Sequence, residues 1–486
     1  MKPAALRQRV RSFPRDRLLR AITAQAAQDV SVTRDMALDH PQAKLAQVRQ
    51  GMLFAVAGIC VTSGTNHRSK PVRPSDVQDL VDGFHNLWQP VLDGQIDDAV
   101  WRTVLSRIAY VQFPFQLSPM ASLARSLCLY GTDPRFGDAV FDEDEMRDML
   151  GTTLPRFLYL GFAMFSFAIS RGGRIPRSEL LSDSYAPIFA PDSAQHGLDV
   201  IDRWLAAPAD ELACMGRQMT ADPGDLWGFN PLFERPIIAI GDEYVVPCPA
   251  AILQRLSPQG LLFVVRDALR ADADPNKAFN AFTKRLGARF EDYAGEQLGL
   301  LELATVTPEI SYGGGKLSVD YIVETPQVVV LVEAKAIAPT LDTRAGKFSE
   351  DSDVARKLQK ACDQIAKTAE LLEKGHERFP SLNGRPMRGL VVTRDPYYWL
   401  GAPFFDDLVQ PKSIPTAFVS AHELEVMLPP LMHDTACGAR LLDALPNELR
   451  SVSSRLTELA QGENPLLFEV WDADYEPILA DIRDAA

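Results

Sequence analysis

The sequence predicts a mixed α/β domain, with its sheet between helices, preceded by a large helical domain. Residues 1–235 carry apolar side chains at spacings of three and four, the pattern of amphipathic helices. From residue 236 to residue 428, short strand-forming runs alternate with helical segments, which is typical of a sheet flanked by helices. Residues 429–486 return to helical spacing and form a third, acidic segment.

Composition and charge limit the class of protein. The 486 residues are 46% hydrophobic and 23% charged, values typical of a soluble globular protein with about two to four domains. The formal charge of -14 excludes a protein that is basic over its whole surface. The charge is uneven, because residues 401–486 hold 15 acidic and 5 basic residues, whereas residues 335–394 hold 12 basic and 8 acidic ones.

Cysteine usage and apolar runs indicate a cytoplasmic protein outside the membrane. The apolar runs at residues 52–61 and 157–169 are shorter than the ~20 residues that span a bilayer, so we expect buried helices. The N-terminus is Arg-rich but lacks the apolar region of a secretory signal. The six cysteines are scattered without metal-ligand spacing, which argues against a zinc site and against a disulfide framework; they are Cys60, Cys128, Cys214, Cys248, Cys362 and Cys437.

The predicted elements follow in order. Helices are expected after Asp76 and after Asp98, and a β-hairpin is expected to turn at Gly241 and Asp242. A long helix is predicted for residues 276–300, and a second one for residues 354–374. Strands are predicted in the runs TVTPEISY, KLSVDYIV, VVVLVEAKA, GLVVT and IPTAFVS, the last followed by the helix HELEVML.

The run VVVLVEAKA, residues 328–336, ends in two charged residues. So apolar a run predicts a strand buried on both faces of the sheet. Glu333 and Lys335 are two positions apart and therefore point to the same face. Each would cost several kcal/mol to bury unless it were paired or bound to a cation, so the pair predicts a functional site.

The preceding strand brings a second carboxylate to the same place. A turn centred on Pro326 and Gln327 sets Asp320 directly opposite Glu333, with Cβ atoms roughly 4.5–5.5 Å apart. Two carboxylates at that distance repel each other unless a cation lies between them. Mg²⁺ prefers oxygen ligands and fits this pair, with Lys335 placed to hold a water or to offset charge on a phosphate.

Two helices flank these strands with further polar residues. On the first, Gly287, Glu291 and Gly295 lie one turn apart on one line, so small residues on both sides would let Glu291 reach the site. On the second, Gln364 is expected to face the same cleft, and Gln359 is its rival.

This layout resembles the PD-(D/E)xK, or restriction-endonuclease-like, nuclease superfamily. The matching motifs appear in the family's order: FEDY with Glu291, VDYIV with Asp320, VEAK with Glu333 and Lys335, and a following helix with Gln364. The resemblance covers about residues 276–428. The proline that often precedes the first acid is replaced by Val319, and the spacing from Glu333 to Gln364 is long.

The resemblance implies a restriction-endonuclease-like core and a Mg²⁺-dependent nuclease, with Mn²⁺ as a substitute. Asp320, Glu333 and the backbone carbonyl of Ala334 would bind the metal, and Glu291 would bind it directly or through water. Lys335 would orient the attacking water and stabilise the transition state. The expected substrate is nucleic acid, with double-stranded DNA ahead of RNA and a homodimer as the assembly. Bacterial defence against foreign DNA is the expected role, with the helical domain positioning substrate, sensing a signal or mediating assembly.

Other interpretations stay open. The main alternative is a catalytically silent nuclease-fold subunit used for binding nucleic acid or for assembly, and another is an enzyme acting on structured RNA. Glu333 and Lys335 could be a solvent-facing pair on an edge strand, and Asp320 could cap a loop. The Gly313–Gly315 cluster predicts a hairpin turn rather than a phosphate loop, because no helix start with Lys-Ser or Lys-Thr follows it.

Overall fold

The chain forms two compact units in a computed structural model. The structure describes residues 3–35, 41–87, 110, 119–219, 229–340, 343, 352–397, 409–410, 413–445 and 463–485. The first unit comprises Met1–Ser126, Glu143–Arg270 and Asp472–Ala486, and the second comprises Leu127–Asp142 and Ala271–Trp471. Each unit is therefore assembled from segments that are separated in the sequence.

The first unit is mainly helical, as predicted. Leu19, Phe54 and Val61 belong to its buried apolar core. Its helices are α1 (Pro3–Val10), α2 (Arg15–Asp35), α3 (Pro41–Ser63), α4 (Pro74–His85), α5 (Pro119–Tyr130, whose last turn belongs to the second unit), α6 (Glu143–Leu150), α7 (Leu154–Ser170), α8 (Arg177–Leu180), α9 (Ala186–Phe189), α10 (Ala194–Trp204), α11 (Ala209–Met219), α12 (Ala250–Leu256) and α13 (Pro258–Ala268).

Two predicted helix starts have different outcomes. Helix α4 begins at Pro74 rather than after Asp76, since proline suits the first helical position. The Asp76 carboxylate lies in the first turn and accepts a hydrogen bond from the Arg73 backbone N–H at 2.9 Å. The prediction that Asp76 is the N-cap was therefore wrong. The helix predicted after Asp98 lies outside the described residues.

A small sheet in the first unit changes the predicted domain boundary. Its strands are β1 (Arg174–Pro176), β2 (Ala206–Pro208), β3 (Ile237–Ala239) and β4 (Glu243–Val245), in the order β1-β4-β3-β2. The predicted hairpin is confirmed as β3–β4, with Gly241 at φ +65° in the turn. Because β4 pairs with β1 and β3 pairs with β2, the hairpin belongs to the helical unit. The division after Arg270 thus differs from the predicted one after residue 235.

One apolar stretch, Glu143–Ser170, is long and apolar enough to cross a membrane, and half of its most apolar window is buried inside the protein. Gly151, at φ +83°, separates helix α6 from helix α7 within this stretch. A buried core helix meets the same criterion of length and composition, so the stretch is weak evidence for a membrane span.

The second unit contains the predicted mixed sheet. Its strands are β5 (Thr305–Pro308), β8 (Tyr321–Glu324), β9 (Val329–Lys335), β10 (Met387–Thr393) and β11 (Thr416–Ser420), in the order β11-β10-β9-β8-β5. Strands β6 (Ser311–Tyr312) and β7 (Lys316–Leu317) form a separate two-stranded sheet. Strands β9, β10 and β11 are parallel, whereas β8 is antiparallel to both β9 and β5. Strand β9 is central and its first six residues are buried, which confirms the strand predicted for the VVVLVEAKA run.

Helices cover both faces of this sheet. They are α14 (Pro275–Gly299) and α15 (Asp353–Glu373), accompanied by α16 (Ala421–Met427), α17 (Cys437–Ala444) and α18 (Pro465–Ala485, which ends in the first unit). On one face, Ile365 of α15 approaches Gly389, which pairs with Leu331. On the other face, Gly295 of α14 approaches Tyr321, which pairs with Val332. Consecutive residues of β9 thus face different helices.

The short segment Leu127–Asp142 is tied to α14 by one buried side chain. The guanidinium of Arg289, only 1% exposed, donates hydrogen bonds to the carbonyls of Cys128 at 2.8 Å and Gly137 at 2.9 Å. It also donates to the carbonyls of Asp133 at 3.1 Å and Phe136 at 3.3 Å. This arginine therefore holds a distant part of the sequence in the second unit.

Two glycines of α14 provide a matched pair of substitutions. A Cβ atom on Gly295 would lie 2.3 Å from the Tyr321 hydroxyl oxygen, whereas a Cβ atom on Gly287 meets nothing within 4 Å. We expect Gly295→Ala to lower the free energy of unfolding by about 1–3 kcal/mol, because the helix must move off the sheet. Gly287→Ala should leave it unchanged or raise it by about 0.5–1 kcal/mol. Denaturant unfolding measures both, and equal effects would contradict the close approach at Gly295.

Candidate functional site

The turn between β8 and β9 sets the site. The backbone N–H and the hydroxyl of Thr325 both contact the Val328 carbonyl oxygen at 3.0 Å, which closes a tight connection. Tyr321 is paired with Val332, so the next pair toward the open end of the strands is Asp320 with Glu333. The structure therefore has the register that the sequence predicted.

Glu333 and Lys335 point to the same face, as predicted. Glu333 is fully buried, and its Oε1 atom contacts the Lys335 ammonium. The ammonium also lies 3.9 Å from Asp320 Oδ2, and its side chain is 23% exposed. The Oε2 atom of Glu333 is buried without a hydrogen-bond partner. The Lys335 ammonium is thus close to two buried carboxylates, and one of them, Glu333, has an oxygen atom without a hydrogen-bond partner.

Asp320 is held in place by the backbone of the neighbouring strand. Its Oδ2 atom accepts a hydrogen bond from the Ala334 N–H at 2.7 Å, and the residue is only 6% exposed. Burial raises the pKa of Asp320, although Lys335 and the Ala334 N–H oppose this rise. The Ala334 carbonyl, predicted to bind metal, stays a prediction.

Burial makes ionisation of Glu333 costly. Burial raises the pKa of Glu333 to about 8, the Asp320 carboxylate adds to this rise, and Lys335 opposes it. A divalent cation beside these two carboxylates would favour the ionised form of both, because an opposite charge stabilises a carboxylate.

The charges of the site also affect the pKa of Glu291 on α14. The pKa of Glu291 is raised to about 7, mainly by burial and then by the negative charges of Asp320 and Glu309. The positive charge of Lys335 opposes this rise. The Tyr321 hydroxyl donates a hydrogen bond to the Glu291 carbonyl at 3.1 Å, in the space left by Gly295. Close packing beside Glu291 therefore comes from Gly295, whereas the same prediction for Gly287 was wrong because that residue faces open space.

Glu309 is a further carboxylate that the sequence reasoning missed. Strand β5 ends at Pro308, which pairs with Tyr321, and Glu309 follows it. The register then shifts by one residue, because the Ser318 N–H donates to the Ile310 carbonyl at 3.0 Å, so Glu309 lies opposite Val319 and Asp320. Glu309 is exposed, and its pKa is raised by desolvation of its carboxyl group and by the Asp320 charge. The pairing of β5 with β8, which could have indicated Glu309, was not worked out from the sequence.

Glu309, Asp320 and Glu333 lie at the same end of the neighbouring strands β5, β8 and β9 and are here called the acidic row. The charge of Lys335 lowers the pKa of each of these carboxyl groups and that of Glu291. This excess of negative charge is the main electrostatic property of the site.

The two candidate glutamines lie on different flanks of α15. Gln359 is bound to Gln410, donating to its carbonyl at 3.0 Å and accepting from its N–H at 2.9 Å. Gln364 is half-buried and lies one turn before Thr368, whose hydroxyl accepts from the Val319 N–H at 3.1 Å. The flank that carries Gln364 therefore borders the strand end that carries Asp320, which favours Gln364 over its rival.

The ligand types suit a hard cation such as Mg²⁺. In the described ranges, no group of three His, Cys, Asp or Glu side chains is already arranged around a metal position. However, the acidic row offers carboxylate oxygens, which Mg²⁺ prefers, and the Oε2 atom of Glu333 is buried without a partner. The residues present therefore fit such an ion if the Lys335 ammonium moves away from Glu333.

Comparison of the whole chain with protein-family models, with curated protein sequences and with solved structures finds no match. The resemblance to the PD-(D/E)xK superfamily consequently depends on the motifs and on the geometry described above.

Divalent-metal binding tests the acidic row directly. We expect the protein to bind Mn²⁺, Glu333→Gln to abolish this binding, and Glu309→Gln to weaken it by about tenfold, as for a residue that supports the ligands. Glu296→Gln, an exposed change on α14, is the matched control. Calorimetry or the Mn²⁺ spin-resonance signal measures the affinity. Unchanged affinity in Glu309→Gln would remove Glu309 from the site, and unchanged affinity in Glu333→Gln would remove the site itself.

Proposed function

We propose that the second unit is a Mg²⁺-dependent nuclease of the restriction-endonuclease-like kind, which hydrolyses phosphodiester bonds of DNA. The observation that carries this proposal is the buried Glu333 and its partner Asp320, with Lys335 between them, at the end of the central strand. The mixed sheet with helices on both faces and the order of the motifs along the chain support it.

The roles of the residues follow from their positions. Asp320, Glu333 and the Ala334 carbonyl would hold the metal, with Glu291 bound directly or through water. When bound, Mg²⁺ lowers the pKa of a water molecule and offsets negative charge on the phosphate. Glu309 lies beside Asp320 and would support it.

Lys335 has the one ammonium group close to both carboxylates in the described part of the chain. Since its side chain is 23% exposed, it can turn from Glu333 toward a substrate. There it would orient the attacking water and stabilise the charge that develops on the phosphate in the transition state. Cleavage by enzymes of this kind leaves a 5′-phosphate and a 3′-hydroxyl.

The wider role is also a proposal. Two cuts in a duplex need two active sites, so we propose a homodimer acting in the cytoplasm. The first unit would position the substrate, sense a signal or mediate assembly. A role in bacterial defence against foreign DNA rests on analogy with nucleases that are fused to helical domains.

A second candidate function is a catalytically silent nuclease-fold subunit that binds nucleic acid or assembles a complex. The contact between Lys335 and Glu333 favours it, because this ion pair partly neutralises the site without a metal. Against it stands the cost of keeping the two buried carboxylates of Asp320 and Glu333 beside one ammonium group. An enzyme acting on structured RNA is the remaining alternative, and substrate competition separates it from the DNA nuclease.

Cleavage assays test the proposal. Supercoiled plasmid, linear duplex, single-stranded DNA and RNA are incubated with Mg²⁺ or Mn²⁺. We expect Glu333→Gln and Lys335→Met each to reduce cleavage by at least about 10²-fold, because each removes a charge that the transition state needs. Lys277→Met, an exposed change on α14, is the control and should cleave like the wild type.

Equal cleavage by the wild type and both site variants would show that the activity arises elsewhere. Metal binding by the wild type without cleavage of any substrate would favour the silent subunit.

A further inference from the structure

Lysine residues follow the exposed side of α15. Lys360, Lys367 and Lys374 are exposed and seven residues apart, so they follow one line along the helix. Arg356 and Lys357 extend this line toward the N-terminus. These five residues are here called the cationic flank. Two acidic residues, Asp363 and Glu370, lie beside this line, about 40° and 60° from Lys367 in helical projection, and Glu373 lies about 120° from it.

The lysines of the cationic flank differ in their ion pairs. Lys357 pairs with Asp353 at 2.7 Å and Lys374 lies 3.5 Å from Glu370. Lys360 and Lys367 form no ion pair with any residue that the structure describes. The ammonium groups of these two exposed lysines are therefore open to an anionic ligand.

The flank also borders the acidic row. Lys367 is adjacent to Thr368, whose hydroxyl holds the Val319 N–H next to Asp320. Gln364 lies between Lys360 and Lys367 on the same side of the helix, since it is about 60° from Lys367 in helical projection. Lys360 and Lys367 therefore lie on the exposed side of α15, and the sheet-facing side of the same helix contacts the strand end that carries Asp320.

The C-terminal half of the flank rests on a small hairpin, β6 (Ser311–Tyr312) with β7 (Lys316–Leu317). The Lys367 ammonium lies 6.0 Å from the centre of the Tyr312 ring. That ring also packs against Phe379 at 5.6 Å. Arg378 donates a hydrogen bond to the Ser311 carbonyl at 2.8 Å. The lysines are thus presented by a regular helix that is braced at this end.

We infer that the cationic flank binds the phosphodiester backbone of a nucleic acid and leads it to the acidic row, an inference that rests on the proposed nuclease function. A site with four carboxylates in a chain of formal charge -14 repels a polyanion, so a substrate needs local cations to approach it. Lys360 and Lys374 are fourteen residues apart, or about 21 Å along the helix. That length matches about six base pairs of duplex at about 3.4 Å each.

Binding of a labelled 30-base-pair DNA duplex tests the inference, with Ca²⁺ in place of Mg²⁺ and with salt varied. We expect Lys360→Glu with Lys367→Glu to weaken binding at least about tenfold. The slope of log affinity against log salt should fall by about 1.8, as for two lost phosphate contacts. Lys277→Glu with Lys284→Glu on α14 makes the same charge change at exposed positions and should alter affinity less than about twofold.

Other outcomes separate this inference from the proposed function. If the wild type cleaves DNA but the α15 variant binds like the α14 variant, the flank is wrong and the nuclease remains. If the α15 variant loses binding while no protein cleaves, the flank remains and the nuclease is wrong. Wild-type protein that does not bind DNA, or that binds polyglutamate equally well, overturns the inference. Lys360→Gln with Lys367→Gln replaces the double charge reversal if that variant does not fold.

Discussion

The register of β8 against β9 is the constraint on which the candidate site depends. The Thr325–Val328 turn closes this pair, and a slip of one residue would move Asp320 to the other face of the sheet. The position of Glu309 depends on a second pairing, that of β5 with β8. One short connection therefore determines where the carboxylates of Asp320 and Glu333 meet.

The acidic row illustrates a conflict between folding and chemistry. Apolar packing buries the last residues of β9 at the centre of the sheet, where the charge of Glu333 is expensive. Lys335 reduces this cost, but it cannot balance four carboxylates alone. Such an arrangement adds nothing to the stability of the protein, and buried groups of this kind are typical of functional sites. Lys335 keeps its side chain partly exposed beside them.

Features of the site that depend on residues close together in the sequence could be predicted, whereas features that depend on contacts between residues far apart in the sequence could not. The apolar run of β9 predicted a buried central strand, and the two-residue turn predicted the partner of Glu333, since both depend on neighbouring residues. Glu309 was missed because its place depends on which strand lies beside β8. The hairpin at Gly241 was assigned to the wrong unit for a related reason, as its partners β1 and β2 come from earlier in the chain. Choosing Gln364 over Gln359 needed the contact with Gln410, fifty-one residues away from Gln359.

The contacts of Arg289 have a consequence for how the second unit is made. Its side chain is satisfied by carbonyl groups of Leu127–Asp142, a segment synthesised well before the sheet. A recombinant fragment that begins at residue 271 would leave this guanidinium buried without acceptors, and would lack part of its own core. During translation, the carbonyl groups of Leu127–Asp142 cannot bind Arg289 until α14 has emerged from the ribosome. The second unit therefore folds from two segments that are separate in the sequence, Leu127–Asp142 and Ala271–Trp471. Truncations that remove one of the two segments should yield insoluble protein.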